Sequence, residues 1–163
     1  MASATPSSSS SGSAGRGGRW VVAQFIMMPA VIAAGILAPH WPSGWHELLS
    51  VFGAVLAGVG IGFAVWAGRT LGRSLTPFPK PVPNGLATGG PFAFVRHPIY
   101  SGGLLLFAGY SLYASIPALV LTVALGVLWA GKSRLEERLL AEAYPGYGAY
   151  VRAVRWRLVP FVY

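Results

Sequence analysis

The sequence predicts an all-α integral membrane protein with about four transmembrane helices, the last two forming a helical hairpin, followed by a cytoplasmic C-terminal helical segment. Three observations carry this. The chain of 163 residues is 54% hydrophobic and only 10% charged, well below the roughly one quarter charged in an ordinary soluble domain. Its apolar residues fall into uncharged blocks of helical length. Its twelve Lys and Arg, which give a net charge of +8, stand at the edges of those blocks. That placement is a topology signal, and no nucleic-acid partner is expected from it.

Residues 1–19 are Ser, Gly and Ala with two Arg and no apolar period, the composition of a disordered tail. The remainder, 20–163, has room for a single domain. Residues 20–38 (WVVAQFIMMPAVIAAGILA) contain 19 residues without a charge, enough at about 1.5 Å each to cross an apolar layer of about 30 Å. A secretory leader is the competing pattern, but the long polar stretch in front and the length of the apolar run argue against it.

Residues 48–68 form a second uncharged block of 21 residues. Within it Ala54, Gly58 and Gly62 recur every four residues, a stripe on which another helix is expected to pack closely. The intervening APHWPSGWHE has two Trp and no Lys or Arg, as suits a membrane interface on the far side. Residues 69–98 are rich in Pro and Gly and too polar to span. A connector that long is often a lid.

Residues 99–130 include 32 positions without a charge. One helix of that length would measure about 48 Å, too long for one crossing. Ser115-Ile116-Pro117 supplies the break, Ser as N-cap and Pro in the first turn. The second arm meets no breaker until Pro145, so it continues past the membrane to about Tyr144. With the N-terminus inside and four crossings, every basic residue and both termini lie on the cytoplasmic side.

Two clusters at that side carry the chemistry. In Arg96-His97-Pro98-Ile99-Tyr100-Ser101-Gly102-Gly103, Pro98 suits the first helical position with His97 at the N-cap. Free amides, the helix dipole and Arg96 then favour an anion, and the two glycines leave room for a flat ligand. Glu136-Glu137 on the second arm offers a cation site. Together they match a zwitterion. Each piece has a plainer reading: His97 as a simple cap, the acidic pair as a solvated face beside Arg134 and Arg138, and Tyr144, Tyr147 and Tyr150 as interfacial anchors. The absence of cysteine removes thiolate metal ligands, and no metal site is expected.

The ordered set GPFAFVRHPIYSGG, an apolar hairpin, EE and YPGYGAYVRAVRWRLVP resembles the isoprenylcysteine carboxyl methyltransferase family, which is related to the membrane phospholipid methyltransferases. The resemblance covers about residues 70–160. It implies a membrane methyltransferase using S-adenosyl-L-methionine, bound by Arg96, His97, Pro98, Tyr100, Gly102, Glu136 and Glu137. It also implies a basic residue near the last tyrosines that orients the acceptor; Arg152 and Arg155 both fall there, and with Glu137 they make up the expected catalytic set. The acceptor implied is the carboxylate of an isoprenylated cysteine or a similar lipophilic molecule entering from the bilayer. Only two spans precede the motifs, fewer than in eukaryotic carboxyl methyltransferases, which leaves smaller lipids open. A phospholipid amine N-methyltransferase and a non-catalytic membrane scaffold are the alternatives. Transport is disfavoured, because ionisable groups cluster at the rim of the spans and not within them.

Overall fold

The computed structural model describes residues 11–77, 85–160 and 162. Its five α-helices are α1 (Ser11–Leu37), α2 (Ser43–Leu71), α3 (Pro98–Ala114), α4 (Ile116–Ala143) and the short α5 (Tyr147–Ala153). Single 3-10 turns at Gly72–Ser74 and Gly90–Ala93 punctuate the connector between α2 and α3. No strand occurs among the described residues.

Helix α1 starts at Ser11, nine residues before the apolar block. Disorder expected over 1–19 is therefore corrected for 11–19, and residues 1–10 lie outside the described residues. The physical reason is cooperativity: nucleation is the costly step, and the apolar block supplies it, so the helix extends backwards even though Gly12, Gly15, Gly17 and Gly18 oppose it.

The hairpin break falls where Ser115 places it. Ser115 is extended, with φ −164°, and its hydroxyl accepts from the Ala118 amide at 3.3 Å while donating to the Ala34 carbonyl of α1 at 3.1 Å. Helix α4 then runs uninterrupted to Ala143, with Tyr144 as its C-cap.

Gly17–Leu37, Ser43–Ser74 and Ile116–Ala143 are long and apolar enough to cross a membrane. Helix α3 has 17 residues, about 26 Å at 1.5 Å each, and lies between α2 and α4. All four long helices alternate in direction. Ala34 of α1 meets Ser115 while Gln24 meets Lys132, so α1 and α4 are antiparallel; α2 and α3 are likewise antiparallel through Gly60 and Gly102. The N-terminal half of α1, the described parts of the 69–98 connector and the end of α4 therefore share one end of the bundle. Val22, Phe25 and Ile26 on α1 and Val51, Phe52 and Val55 on α2 are exposed, as lipid-facing side chains are.

The small-residue stripe on α2 is not the expected one. Ala54, Gly58 and Gly62 are exposed, and a Cβ on Gly58 or Gly62 would meet nothing within 4 Å. Gly53, Gly60 and Ala67 are the buried ones. A Cβ on Gly60 would lie 2.6 Å from the Gly102 carbonyl oxygen, and one on Gly102 would lie 2.7 Å from that of Gly60. The two stripes lie on neighbouring faces of α2, and packing with α3 selects the one carrying Gly53 and Gly60.

Candidate active site

The shared end of the bundle holds a cavity of about 430 Å³. Its walls come from the middle of α1 (Gln24, Phe25), the base of the connector (Leu75, Pro77), the start of α3 and the late turns of α4, closed by Tyr144, Tyr147 and Tyr150.

His97 is the N-cap of α3 and Pro98 its first residue. The His97 ring stacks on Tyr100 at 5.6 Å between centroids, and Tyr100 stacks on Trp129 at 5.3 Å. Tyr100 donates its hydroxyl proton to Glu136 Oε1 at 2.7 Å. His97 Nδ1 lies 3.4 Å from Glu136 Oε2, and Nε2 lies 3.3 Å from Glu137 Oε1 without the alignment of a hydrogen bond. Glu137 also takes Arg96 Nε at 2.8 Å and Arg157 Nη2 at 2.7 Å. The expected anion pole and acidic pair thus meet in one cluster.

Burial pushes the His97 imidazole down, but the Glu136 and Glu137 carboxylates outweigh it and hold its pKa above the usual 6.5. A raised folded-state pKa gives stabilisation that is complete below the unfolded value and is lost as pH rises through the folded one. Wild type should therefore melt above His97→Gln by the largest margin below the unfolded value of 6.5, with the gap closing as pH rises above it. A gap that widens with pH would contradict the assignment.

The expected residues are placed differently from one another. Arg96 lines the cavity, yet its Nη1 donates to the carbonyls of Val154 and Arg155, each at 2.7 Å, besides the Glu137 pair. It ties the C-terminal strap, residues 154–158, to α3. The Arg96 and His97 amides bond the Trp156 and Arg157 carbonyls in the same strap, and Ser101 donates to that of Leu158. Gly102 turns away from the cavity to meet α2, and the space over Gly103 is filled by the Trp129 ring. Neither glycine is open to a flat ligand, because helix packing and an indole already take the room. Arg152 and Arg155 are exposed and absent from the cavity wall. The chain leaves helix after Ala153, and this change of path turns Arg157 towards Glu137 instead.

Lys132, Gln24 and Arg157 join the expected set. Lys132 is wholly buried, and its Nζ donates to Gln24 Oε1 at 2.9 Å and to the Pro77 carbonyl at 2.8 Å. It also stands 3.7 Å from Glu136 Oε1. Trp129 Nε1 shares the Gln24 oxygen at 3.3 Å. The available signal was Gln24 itself, a lone amide in an uncharged block, since polar groups inside spans are functional or paired. Arg157→Ala should lower the melting midpoint in detergent, a lost charged hydrogen bond contributing about 1.5–3 kcal/mol. Arg152→Ala and Arg155→Ala should leave the midpoint near wild type. The reverse order would displace Arg157 from the site.

Residues 48–146 match the family described as phospholipid methyltransferase. Over 138 residues the chain is 30% identical to the cobalt-zinc-cadmium resistance protein CzcN of Cupriavidus metallidurans, an alignment covering 83% of this chain and 59% of that protein.

Proposed function

Because the chain belongs to the phospholipid methyltransferase family, we propose that its cavity binds S-adenosyl-L-methionine and serves methyl transfer to a lipophilic acceptor that enters from the bilayer, most simply as a carboxylate. The donor supplies a methyl group on a sulfonium. Several features support the fit. A cavity of about 430 Å³ is in the range of small-molecule sites. Its wall carries the stacked His97 and Tyr100 rings, with the His97 imidazole held above its usual pKa by Glu136 and Glu137. A buried polar atom of the wall, Tyr147 Oη, has no hydrogen-bond partner among the described residues. Buried polar atoms left in that state are what a ligand completes. Glu136, His97 and Tyr100 would hold the donor; Arg96, Glu137 and Arg157 would hold the wall. We place both termini and the cavity mouth on the cytoplasmic side.

The observation that favours an acidic oxygen acceptor is the engagement of both carboxylates. Glu137 is held by Arg96, Arg157 and His97, and Glu136 by Tyr100 beside His97 and Lys132. A carboxylate is already a nucleophile at neutral pH, so the site has only to orient it and exclude water. An amine must lose a proton to a base, and neither carboxylate is unencumbered. The matched family's description favours the second reading, a phospholipid amine. Membranes containing the protein, incubated with methyl-labelled donor, should yield lipid label that mild alkali releases as methanol, as from an ester. Label that withstands alkali and co-migrates with N-methylated phospholipid would establish the amine reading, and no labelled lipid would defeat both.

A further inference from the structure

Tyrosines line the cavity, and their hydroxyls are not equivalent. Tyr100 donates to Glu136, and Tyr150 donates to the Phe92 carbonyl, each at 2.7 Å. Tyr147, the first residue of α5, is 3% exposed and lines the same cavity, yet its hydroxyl has no hydrogen-bond partner among the described residues. Its ring does not need that hydroxyl to be placed. It packs on Tyr150 with centroids 5.9 Å apart, in a cluster with Val154, Leu86 and Leu140. A phenylalanine would fill the position equally well, so the buried hydroxyl is a cost the fold alone does not explain.

We infer that Tyr147 is a ligand-contact residue whose phenolic O–H donates a hydrogen bond to an acceptor atom of the bound methyl donor; this rests on the donor reading above. Burial, with Glu137 adding to it, holds the phenol well above its usual pKa of 10.0. It therefore offers a proton and not a negative charge. Arg96, Glu137 and Arg157, the charges nearest in effect, are occupied with one another. The hydroxyl is thus a donor with its proton unspent on a wall whose other polar groups are largely committed. S-adenosylhomocysteine, which lacks only the transferable methyl, presents two kinds of acceptor: the ribose and adenine atoms at one end and the carboxylate at the other.

Calorimetric titration with S-adenosylhomocysteine in detergent, paired with melting of the ligand-free protein, tests this. Wild type is titrated first; a folded wild type that fails to bind defeats the donor reading itself, before any variant is made. Given binding, Tyr147→Phe should weaken S-adenosylhomocysteine by about three- to tenfold, the loss of one neutral hydrogen bond. Its ligand-free midpoint should equal or exceed wild type, because a buried orphan has been removed. Tyr150→Phe should do the opposite to the ligand-free protein and lower its midpoint, since the Phe92 carbonyl loses its partner. Adenosine separates the two ends: weakened binding to Tyr147→Phe puts the contact on the nucleoside, and unchanged binding puts it on the amino-acid end. Unchanged affinity for both ligands, or a fall in the ligand-free midpoint of Tyr147→Phe, would overturn the inference.

Discussion

Glu137→Ala should destabilise the protein by about 3–5 kcal/mol, the cost of breaking a buried ion pair from one side, and free the C-terminal strap. The size follows from what Glu137 holds. Arg96 and Arg157 lie 2.8 and 2.7 Å from its two oxygens, and His97 Nε2 lies 3.3 Å away. Their side chains are 7%, 20% and 10% exposed, so little water is present to replace the lost carboxylate. The Arg96 and Arg157 guanidiniums would then be left without the carboxylate that joins them. An exposed pair would contribute only about 0–1 kcal/mol, which is why burial decides the outcome. Arg96 also carries the strap through the Val154 and Arg155 carbonyls. Once Arg96 shifts, trypsin should cut the strap at Arg155 and Arg157 faster than in wild type. Glu137→Gln keeps an acceptor oxygen without the charge and should fall between the two. Melting in detergent and a proteolysis time course check this, and a midpoint indistinguishable from wild type would contradict it.

Gly60→Leu should have an effect of similar size by a different route. Helices α2 and α3 touch backbone to backbone at Gly60, where even a Cβ would lie 2.6 Å from the Gly102 carbonyl oxygen. Backbone cannot give way as a flexible side chain does, so the helices must separate and the packing along Gly53 and Gly109 opens with them. Overpacking commonly costs about 1–3 kcal/mol and more where nothing can relax. The start of α3 carries His97 and Tyr100, so the cavity should distort as well. Gly58→Leu, two residues away with nothing within 4 Å of its Cβ position, should remain folded and monodisperse. Size-exclusion profiles and melting of the two variants side by side test this. Equal behaviour would mean that the helices do not meet where Gly60 and Gly102 place them.

Much of the fold was legible because the signals were local. An uncharged run too long for one crossing, broken by Ser115 and Pro117, dictates a hairpin, and the hydroxyl of Ser115 caps α4 where the sequence places it. His97 and Pro98 likewise mark the start of α3. What was not legible depends on facing. Ala54, Gly58 and Gly62 form as regular a stripe as Gly53, Ala57 and Gly60, and spacing alone does not say which one another helix covers. Arg152, Arg155 and Arg157 were separable only by the path of the chain after Ala153, where helix gives way to an extended strap. Lys132 reads as a boundary charge until α1 is packed against α4, when Gln24 and the Pro77 carbonyl enclose it. Those contacts join residues far apart in the chain, and no local pattern announces them.

The central claim is that the first turn of α3 and the acidic pair of α4 bound one cavity for the methyl donor. The most direct measurement is an experimental structure of the full chain with S-adenosylhomocysteine bound. Ligand density against His97, Tyr100 and Glu136, beneath Tyr147, is the predicted result. Density at the opposite end of the bundle, where His46 of α2 and Tyr113 of α3 line a second hollow, would contradict it.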